Sequence, residues 1–589
     1  MEANNKTYDF IIVGGGIYSC CIYYYLKKNN PESQILIIEK NTKLGGCIQT
    51  EKYNNNVIYE LGANVFKLCN NSYKLIKELN LGDHIAVVNK KLVRYIYHEN
   101  CMYPLYLSFF GYICFPLISF KNKIKLIYKI LFKKYKHVNS YNYDISIENY
   151  MKENFDSEHY QFLLLPLIYG SSGGHGNMSA LSFFSRNLKL VNNNKNSLRI
   201  WNDKINEMDN NSPNYKSNLI NFNKNNLTNI KKCSQSSCAI TGCNDDTQTW
   251  RRPNFIFATF NFATFNFATF NFATFNFATF NLSTFIFPIF NRSLKFIKNI
   301  FFSINYRLFK YFPMIYSNVD NKFLQHIEEE EKKKYIGKTV SLNCGLYEFI
   351  RQLKKHIHEK DILTNSELNF IEKNIKNNIW TCNIKKNNTE INIYSKNVIL
   401  TVNSKMCANI LRKILPIEIK NNLENFSYSS LITANIYFNK EDIKIPDNLF
   451  GLLSANINAY ILGCFYASNM FLNRCENNKI LLTLYIRDNN LTYQNDDQLN
   501  KTILNNLKKI FPFNDNVKPT ILNVTKWKNI LPAYSENYEN KLKEFLNELT
   551  NQKYQNLFVD AGWITGTSIS DRISSAMELS DYIIKKNII

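Results

Sequence analysis

Residues Tyr8–Leu26 read YDFIIVGGGIYSCCIYYYL, and this stretch decides the fold. Phe10–Val13 is an apolar run of strand length. Three glycines follow, and Ser19–Leu26 continues in a helical pattern. A strand, a glycine turn and a helix in this order form the phosphate-binding corner of a dinucleotide fold. The usual spacing is G-x-G-x-x-G. Here Gly14 and Gly16 fill the first two slots, with Gly15 between them, and Ser19 stands in the third. Gly14 serves the tight turn, and Gly16 lets the backbone approach a diphosphate at the amino end of the helix that Ile17 opens. The third slot mainly lets helix and strand pack closely, so a small serine keeps the site.

The second strand, QILIIEK, ends at Glu39 and Lys40. Glu39 stands 39 − 16 = 23 residues after Gly16, where an acidic side chain accepts hydrogen bonds from a ribose. The β-α-β pattern therefore predicts an α/β chain with a doubly wound nucleotide domain.

Composition narrows the class. The chain has 589 residues, enough for more than one domain, and 45% are hydrophobic, enough for a sizeable core. The formal charge of +23 comes from lysine spread among asparagine throughout the chain, so it does not single out a nucleic acid. The 14 cysteines follow neither a secretory leader nor an Arg-rich transit peptide, and they read as free thiols in a reducing compartment. Cys233, Cys238 and Cys243 are spaced too widely for a zinc cluster and lack a fourth ligand, so no metal is expected.

Along the chain, YPLYLSFFGYICFPLISF (Tyr103–Phe120) carries no charge and is interrupted by Pro104 and Pro116. A lysine-rich amphipathic run to His137 follows it. An apolar stretch beside a basic helix suits a segment lying in a membrane interface rather than crossing it. Residues 190–334 are low in complexity and hold the repeat FATFN, whose period of five presents no single face to a core. Order returns at TVSLNCGLYEFIRQLKKHI, and alternating runs after it predict a β-rich part. The last stretch, from Asn556, is again a strand, a glycine turn and a helix.

Further motifs sharpen the reading. LGGCIQT (Leu44–Thr50) and YELGANVF (Tyr59–Phe66) follow Glu39. RYIYHENCMYPLY begins at Arg94, LNCGL spans Leu342–Leu346, and LGCFYASNMF spans Leu462–Phe471. KWKNILPAY spans Lys526–Tyr534, and AGWITGTSI spans Ala561–Ile569. In this order the motifs resemble those of the protoporphyrinogen oxidase family, flavoproteins allied to the amine oxidases and phytoene desaturases.

The resemblance implies FAD as cofactor, a doubly wound FAD-binding domain in three pieces (1–90, 335–410 and 551–589), a helical membrane-binding segment (91–189), a low-complexity insertion (190–334) and a mixed-sheet substrate domain (411–550). It assigns the ADP half to Gly14, Gly15, Gly16, Ile17, Ser19, Glu39 and Lys40. Gly45, Gly46, Gly62, Ala63 and Asn64 would line the flavin, and Gly562, Gly566, Ser568 and Ile569 would approach the diphosphate and the ring. It also implies protoporphyrinogen IX as substrate, oxidised to protoporphyrin IX for haem synthesis. Arg94 would take a propionate, Asn64 would stand near the flavin, and Phe450 and Leu431 would clamp the macrocycle. Oxygen or a quinone would accept the electrons. The resemblance places the enzyme peripherally at the mitochondrial inner membrane and leaves a homodimer open. The alternatives are another amine or carotenoid oxidoreductase, or a non-catalytic member similar to the Rab escort and dissociation-inhibitor proteins. Only the catalytic readings expect a yellow, flavin-bearing protein.

Overall fold

A computed structural model describes residues 6–54, 56–132, 144–174, 177–187, 329–330, 332–374, 376–488, 495–586 and 588. The FATFN repeats, Cys233, Cys238, Cys243 and His137 lie outside the described residues.

The opening stretch folds as its pattern requires. Strand β1 (Thr7–Val13) runs into Gly14, whose φ of +104° no branched residue adopts comfortably, and helix α1 (Ile17–Asn29) follows. Strand β2 (Ile35–Ile38) returns parallel to β1 and is buried along its whole length, as a strand covered on both faces must be. A hairpin, β3 (Thr50–Tyr53) and β4 (Val57–Glu60), leads to β5 (Phe66–Lys67), α2 (Asn70–Glu78) and β6 (Ile85–Val87).

Strands β7 (Val93–His98) and β8 (Cys101–Leu105) then form a hairpin whose two turn residues, Glu99 and Asn100, both have positive φ. These strands belong to the second sheet, so the stretch counted from residue 91 with the helical segment begins as β-structure. β8 is an edge strand of that sheet, a position where Pro104 costs no ladder hydrogen bond. Helix α3 (Phe109–Cys114) and helix α4 (Phe120–Phe132) come next, so the uncharged run Tyr103–Phe120 is a strand end, a turn and a short helix. Among the described residues no helix is long and apolar enough to cross a membrane.

After the insertion, β9 (Thr339–Leu342) joins β5 and β6 in a three-stranded sheet. Strands β10 (Ile362–Leu363), β11 (Ser366–Asn374), β12 (Ile379–Lys386) and β13 (Thr389–Leu400) return to the first sheet. Its order is β10-β2-β1-β13-β12-β11, and β19 (Leu557–Val559) pairs parallel to the end of β13. The C-terminal helix Ile569–Lys585 packs beside α1, completing a doubly wound domain assembled from three separate stretches of chain.

The second sheet has the order β18-β14-β17-β16-β15-β7-β8, from β14 (Tyr428–Asn439), β15 (Leu449–Ser454), β16 (Ile461–Tyr466), β17 (Lys479–Arg487) and β18 (Thr520–Pro532). One face, with Ile432, Ala434, Leu482 and Leu484, packs on Leu499, Ile503 and Leu507 of the helix Asp496–Ile510. The register sets the other face. Arg94, Gly451, Phe465, Thr483 and Asn435 lie in one cross-strand row, and Ile96, Leu453, Gly463, Tyr485 and Thr433 lie in the next. Side chains alternate along a strand, so both rows share a face.

Candidate active site

The glycine loop is built for close approach. Gly14 N donates to Ile38 O (2.8 Å), and a Cβ on Gly14 would sit 2.5 Å from Thr401 Oγ1. Gly15 N donates to Glu39 Oε2 (2.6 Å), and Asn41 N and Nδ2 donate to Glu39 Oε1 (2.7 and 2.6 Å). The Glu39 carboxylate is thus buried and fixed at the end of β2, beside the loop, while Lys40 is exposed. Gly45 N donates to Gly15 O (2.8 Å), which brings the Gly45–Gly46 turn alongside Gly16. Gly45 and Gly46 have φ of +125° and +57°.

Gly16 leaves room for a dinucleotide. A Cβ placed there meets nothing within 4 Å, so the space above it is open. The amino end of α1 beside it has no side-chain cap and no acidic residue in its first turn. Its N–H groups and positive end therefore face open space, the setting a diphosphate needs. The C-terminal helix differs. Ser568 caps it by accepting from Asp571 N (3.1 Å), and Asp571 stands in its first turn, so this end is already provided for. Ile569 opens that helix with its side chain in the core, as Ile17 does in α1. Gly562 opens a short helix, Gly562–Thr565, and Gly566 follows at φ +114°.

Ser19 does more than replace a glycine. Its buried hydroxyl lies 3.0 Å from Thr401 Oγ1, which itself donates to Val13 O (2.7 Å). The helix is thereby tied to the ends of β1 and β13.

A buried polar cluster beneath the loop was not singled out from the sequence. Tyr18 Oη donates to Asp560 Oδ2 (2.8 Å), Thr565 Oγ1 to Asp560 Oδ1 (2.7 Å), and Ser575 Oγ to Asp560 Oδ2. Arg572 pairs with Asp560 (3.0 Å), donates to Thr565 Oγ1 (2.7 Å) and stacks over the Tyr18 ring at 4.3 Å. Burial, followed by Asp560, raises the Tyr18 hydroxyl well above its ordinary value. This neutral cluster fastens α1, the Gly562–Thr565 turn and the C-terminal helix to one another around the open space.

The ELGAN segment ties this domain to the second sheet. Asn435 Nδ2 donates to Glu60 O (2.9 Å), Thr433 Oγ1 to Leu61 O (2.5 Å), and Trp527 Nε1 to Leu61 O (3.2 Å). A Cβ on Gly62 would lie 2.2 Å from Cys47 O, so only glycine lets the chain pass there. Glu60 is itself buried. It accepts from Arg474 Nη1 (3.1 Å), Leu346 N (2.9 Å) and Thr50 Oγ1 (2.6 Å), yet burial still lifts its carboxyl above the ordinary range. Ala63 is half-buried. Asn64 is buried, with Nδ2 donating to Tyr485 Oη (2.9 Å).

From Asn64 a line of aromatic contacts crosses the sheet. The Tyr485 ring lies 5.6 Å from Phe465, and Phe465 lies 5.6 Å from Phe450, each edge to face. The guanidinium of Arg94 sits 4.4 Å over Phe450. Three strand spacings, about 14 Å in all, therefore separate Asn64's partner Tyr485 from Arg94. Arg94 opens onto a cavity of ≈ 430 Å³ together with Leu105, Leu107 and Phe450, and burial lowers its pKa to about 10. Leu431 is half-buried on the same sheet face, in register with Arg487 and Trp527, at the end away from Arg94. Of the residues expected around a macrocycle, Arg94 and Phe450 touch each other, whereas Asn64 and Leu431 stand apart from them. Trp527 lies within the quoted KWKNILPAY motif. Asp560, Arg572 and Arg474 carry no local signal, because only the fold brings their partners together.

Comparison with known proteins accords with this geometry. Residues 12–79 match the NAD(P)-binding Rossmann-like domain, and residues 253–584, more than half of the chain, match the flavin containing amine oxidoreductases. The chloroplastic protoporphyrinogen oxidase of Oryza sativa subsp. japonica is 25% identical over 204 residues, 32% of this chain and 38% of that protein. The coproporphyrinogen III oxidase of Bacillus subtilis (strain 168) is 20% identical over 241 residues, 40% of this chain and 49% of that protein. The chain therefore spans between about a third and half of the length of these curated relatives. Among solved structures, a candidate protoporphyrinogen oxidase from Exiguobacterium sp. 255-15 superposes with a TM-score of 0.61 at 15% identity, covering 99% of this chain and 100% of that one. Cyclohexylamine oxidase from Brevibacterium oxydans IH-35A gives 0.56 at 10%, covering 99% of each. At these identities the likeness establishes the fold. By the family match, the chain belongs to the flavin containing amine oxidoreductases.

Proposed function

We propose that this protein uses FAD to oxidise protoporphyrinogen IX to protoporphyrin IX. The observation that carries the reading is Arg94, a half-buried cation at one end of an aromatic row whose other end, Tyr485, bonds Asn64 of the ELGAN loop. A flat macrocycle with acidic side arms suits such a face: apolar and aromatic along its length, cationic at the edge. The porphyrinogen-oxidising activities of the plant and Bacillus relatives support it.

Hydride-accepting chemistry is what the flavin supplies when bound. The chain's residues do the rest. The amino end of α1 and Gly16 would hold the diphosphate, and Glu39, fixed at the end of β2, would stand on the ribose side. Gly45, Gly46 and Gly62 would let the backbone run close to the ring. Arg94 would fix one propionate by a charge-assisted pair and so set the orientation of the macrocycle.

We also propose that the protein seats on a membrane surface at the mitochondrial inner membrane. Phe110 and Phe120 are 78% and 68% exposed. Ile124 and Tyr128 continue the stripe of Phe120 along α4 at helical spacing, beside exposed Lys121 and Lys125. The electron acceptor in this reading is oxygen or a quinone. The function is tested by purifying the full chain, recording its visible spectrum, and following porphyrin fluorescence after adding protoporphyrinogen. A yellow protein that forms porphyrin supports the proposal, and a colourless one ends it.

A further inference from the structure

The cavity beside Arg94 carries more positive charge than one propionate needs. Lys90, Lys91 and Lys338 line it together with Arg94, and no acidic residue does so among the described residues. The lysines come from two separate segments, the β6–β7 connection and the start of β9, which the three-stranded sheet holds side by side. Lys338 feels this crowding. Burial, then the ammonium groups of Lys90 and Lys334, lower its pKa from the ordinary lysine value. Leu105, Leu107 and Phe450 also line it, and Leu105 and Phe450 are direct neighbours of Arg94. Several cations lining one cavity together with apolar side chains suit a ligand whose acidic groups lie together on one edge of a hydrophobic body.

We infer that this cavity takes two carboxylates from neighbouring positions on one edge of the substrate, one on Arg94 and the other on Lys338 and Lys90. This assignment rests on the porphyrinogen reading, since the two propionates of protoporphyrinogen IX sit on adjacent pyrroles. It makes the enzyme selective for the diacid edge, and the macrocycle enters in one orientation with its vinyl-bearing half away from the cations.

The test uses the full flavin-loaded chain with protoporphyrinogen, its monomethyl ester and its dimethyl ester. In the wild type, KM should rise with the first ester and again with the second. Lys338→Met keeps the apolar stem and removes the charge. It should raise KM for the diacid about five-fold, change kcat less, and shrink the penalty for the monoester. Lys90→Met should act in the same direction, and Lys338→Arg should restore the preference. The effect should weaken with salt. Equal KM for diacid and monoester, with no response to either methionine variant, would overturn the two-carboxylate assignment and leave Arg94 reading one group. If the wild type oxidises no porphyrinogen, the proposed function fails. The cavity is then judged by binding alone, with protoporphyrin diacid against its dimethyl ester as the probe. A diacid preference lost in Lys338→Met upholds the site, and equal binding of the two sinks it.

Discussion

The guanidinium of Arg94 lies 4.4 Å from the centre of the Phe450 ring, and that contact joins β7 to a strand more than 350 positions further along the chain. The ring covers one face of the guanidinium, and Arg94 also lines the cavity. With a pKa lowered to about 10, Arg94 stays cationic at every pH where such an enzyme would be assayed. Arg94→Ala should remove a charge-assisted pair of about 1.5–3 kcal/mol, which is roughly ten- to hundred-fold in KM for protoporphyrinogen. Arg94→Lys should recover only part, because an ammonium lacks the planar fork. Flavin content should be the same in all three proteins. Steady-state kinetics on flavin-matched samples decides, and wild-type KM in Arg94→Ala would refute the propionate role.

Gly16 and Gly14 separate cofactor space from folding space. Gly16 has φ −73° and open room around an added Cβ, so Gly16→Val should fold normally as apoprotein while losing flavin. Gly14→Val meets Thr401 and a φ of +104°, so it should lower the melting temperature as well. Paired thermal melts and flavin titrations check this. A Gly16→Val protein that retains flavin would contradict the placement of the diphosphate.

The cluster around Asp560 should control how tightly the cofactor is held. Asp560→Ala leaves Arg572 buried without its carboxylate, a loss of about 3–5 kcal/mol in stability. Tyr18→Phe removes one hydrogen bond to a charged group and should cost about 1.5–3 kcal/mol. In Tyr18→Phe the fold should survive while flavin dissociates faster, because the α1 end and the Gly562–Thr565 turn are no longer fastened together. Unchanged flavin release would reduce the cluster to a structural element.

Ser19 gives a smaller effect. Ser19→Ala should cost about 1 kcal/mol through the lost Thr401 contact, and Ser19→Gly about 1 kcal/mol more from its lower helix propensity. Neither should change flavin content, which urea titration and absorbance together would confirm or deny.

The apolar stripe gives a prediction about membranes. Replacing Phe110, Phe120 and Ile124 by serine should lower binding to anionic vesicles by roughly ten-fold or more, since each side chain contributes about 1.5–3 kcal/mol when fully buried. Wild-type binding should also fall as salt screens the lysines. Sedimentation with vesicles measures both, and a triple variant that binds like the wild type would exclude this surface.

The nucleotide corner was legible in the sequence because its signals are local: an apolar strand, glycines at fixed offsets, and an acid at the end of β2. The strand alternation after residue 335 was legible for the same reason. The membership of β7 and β8 in the second sheet was not, since pairing Arg94 with Gly451 depends on contacts between distant segments. The partners of Asp560 and Glu60 were hidden for a related reason. A buried acid looks like a surface acid until the fold supplies Arg572 or Arg474. Asn64 was picked for its motif, but its bond to Tyr485, which shows how the two domains meet, required the second sheet.

The most direct test of the account is porphyrin formation by the purified full chain. Protoporphyrinogen is added to the yellow protein under air, and the rise of protoporphyrin fluorescence is followed against a flavin-free control. The account predicts a saturable, flavin-dependent rate that falls at least ten-fold in Arg94→Ala at low substrate. A rate no greater than the control, from protein that carries its flavin, would contradict it.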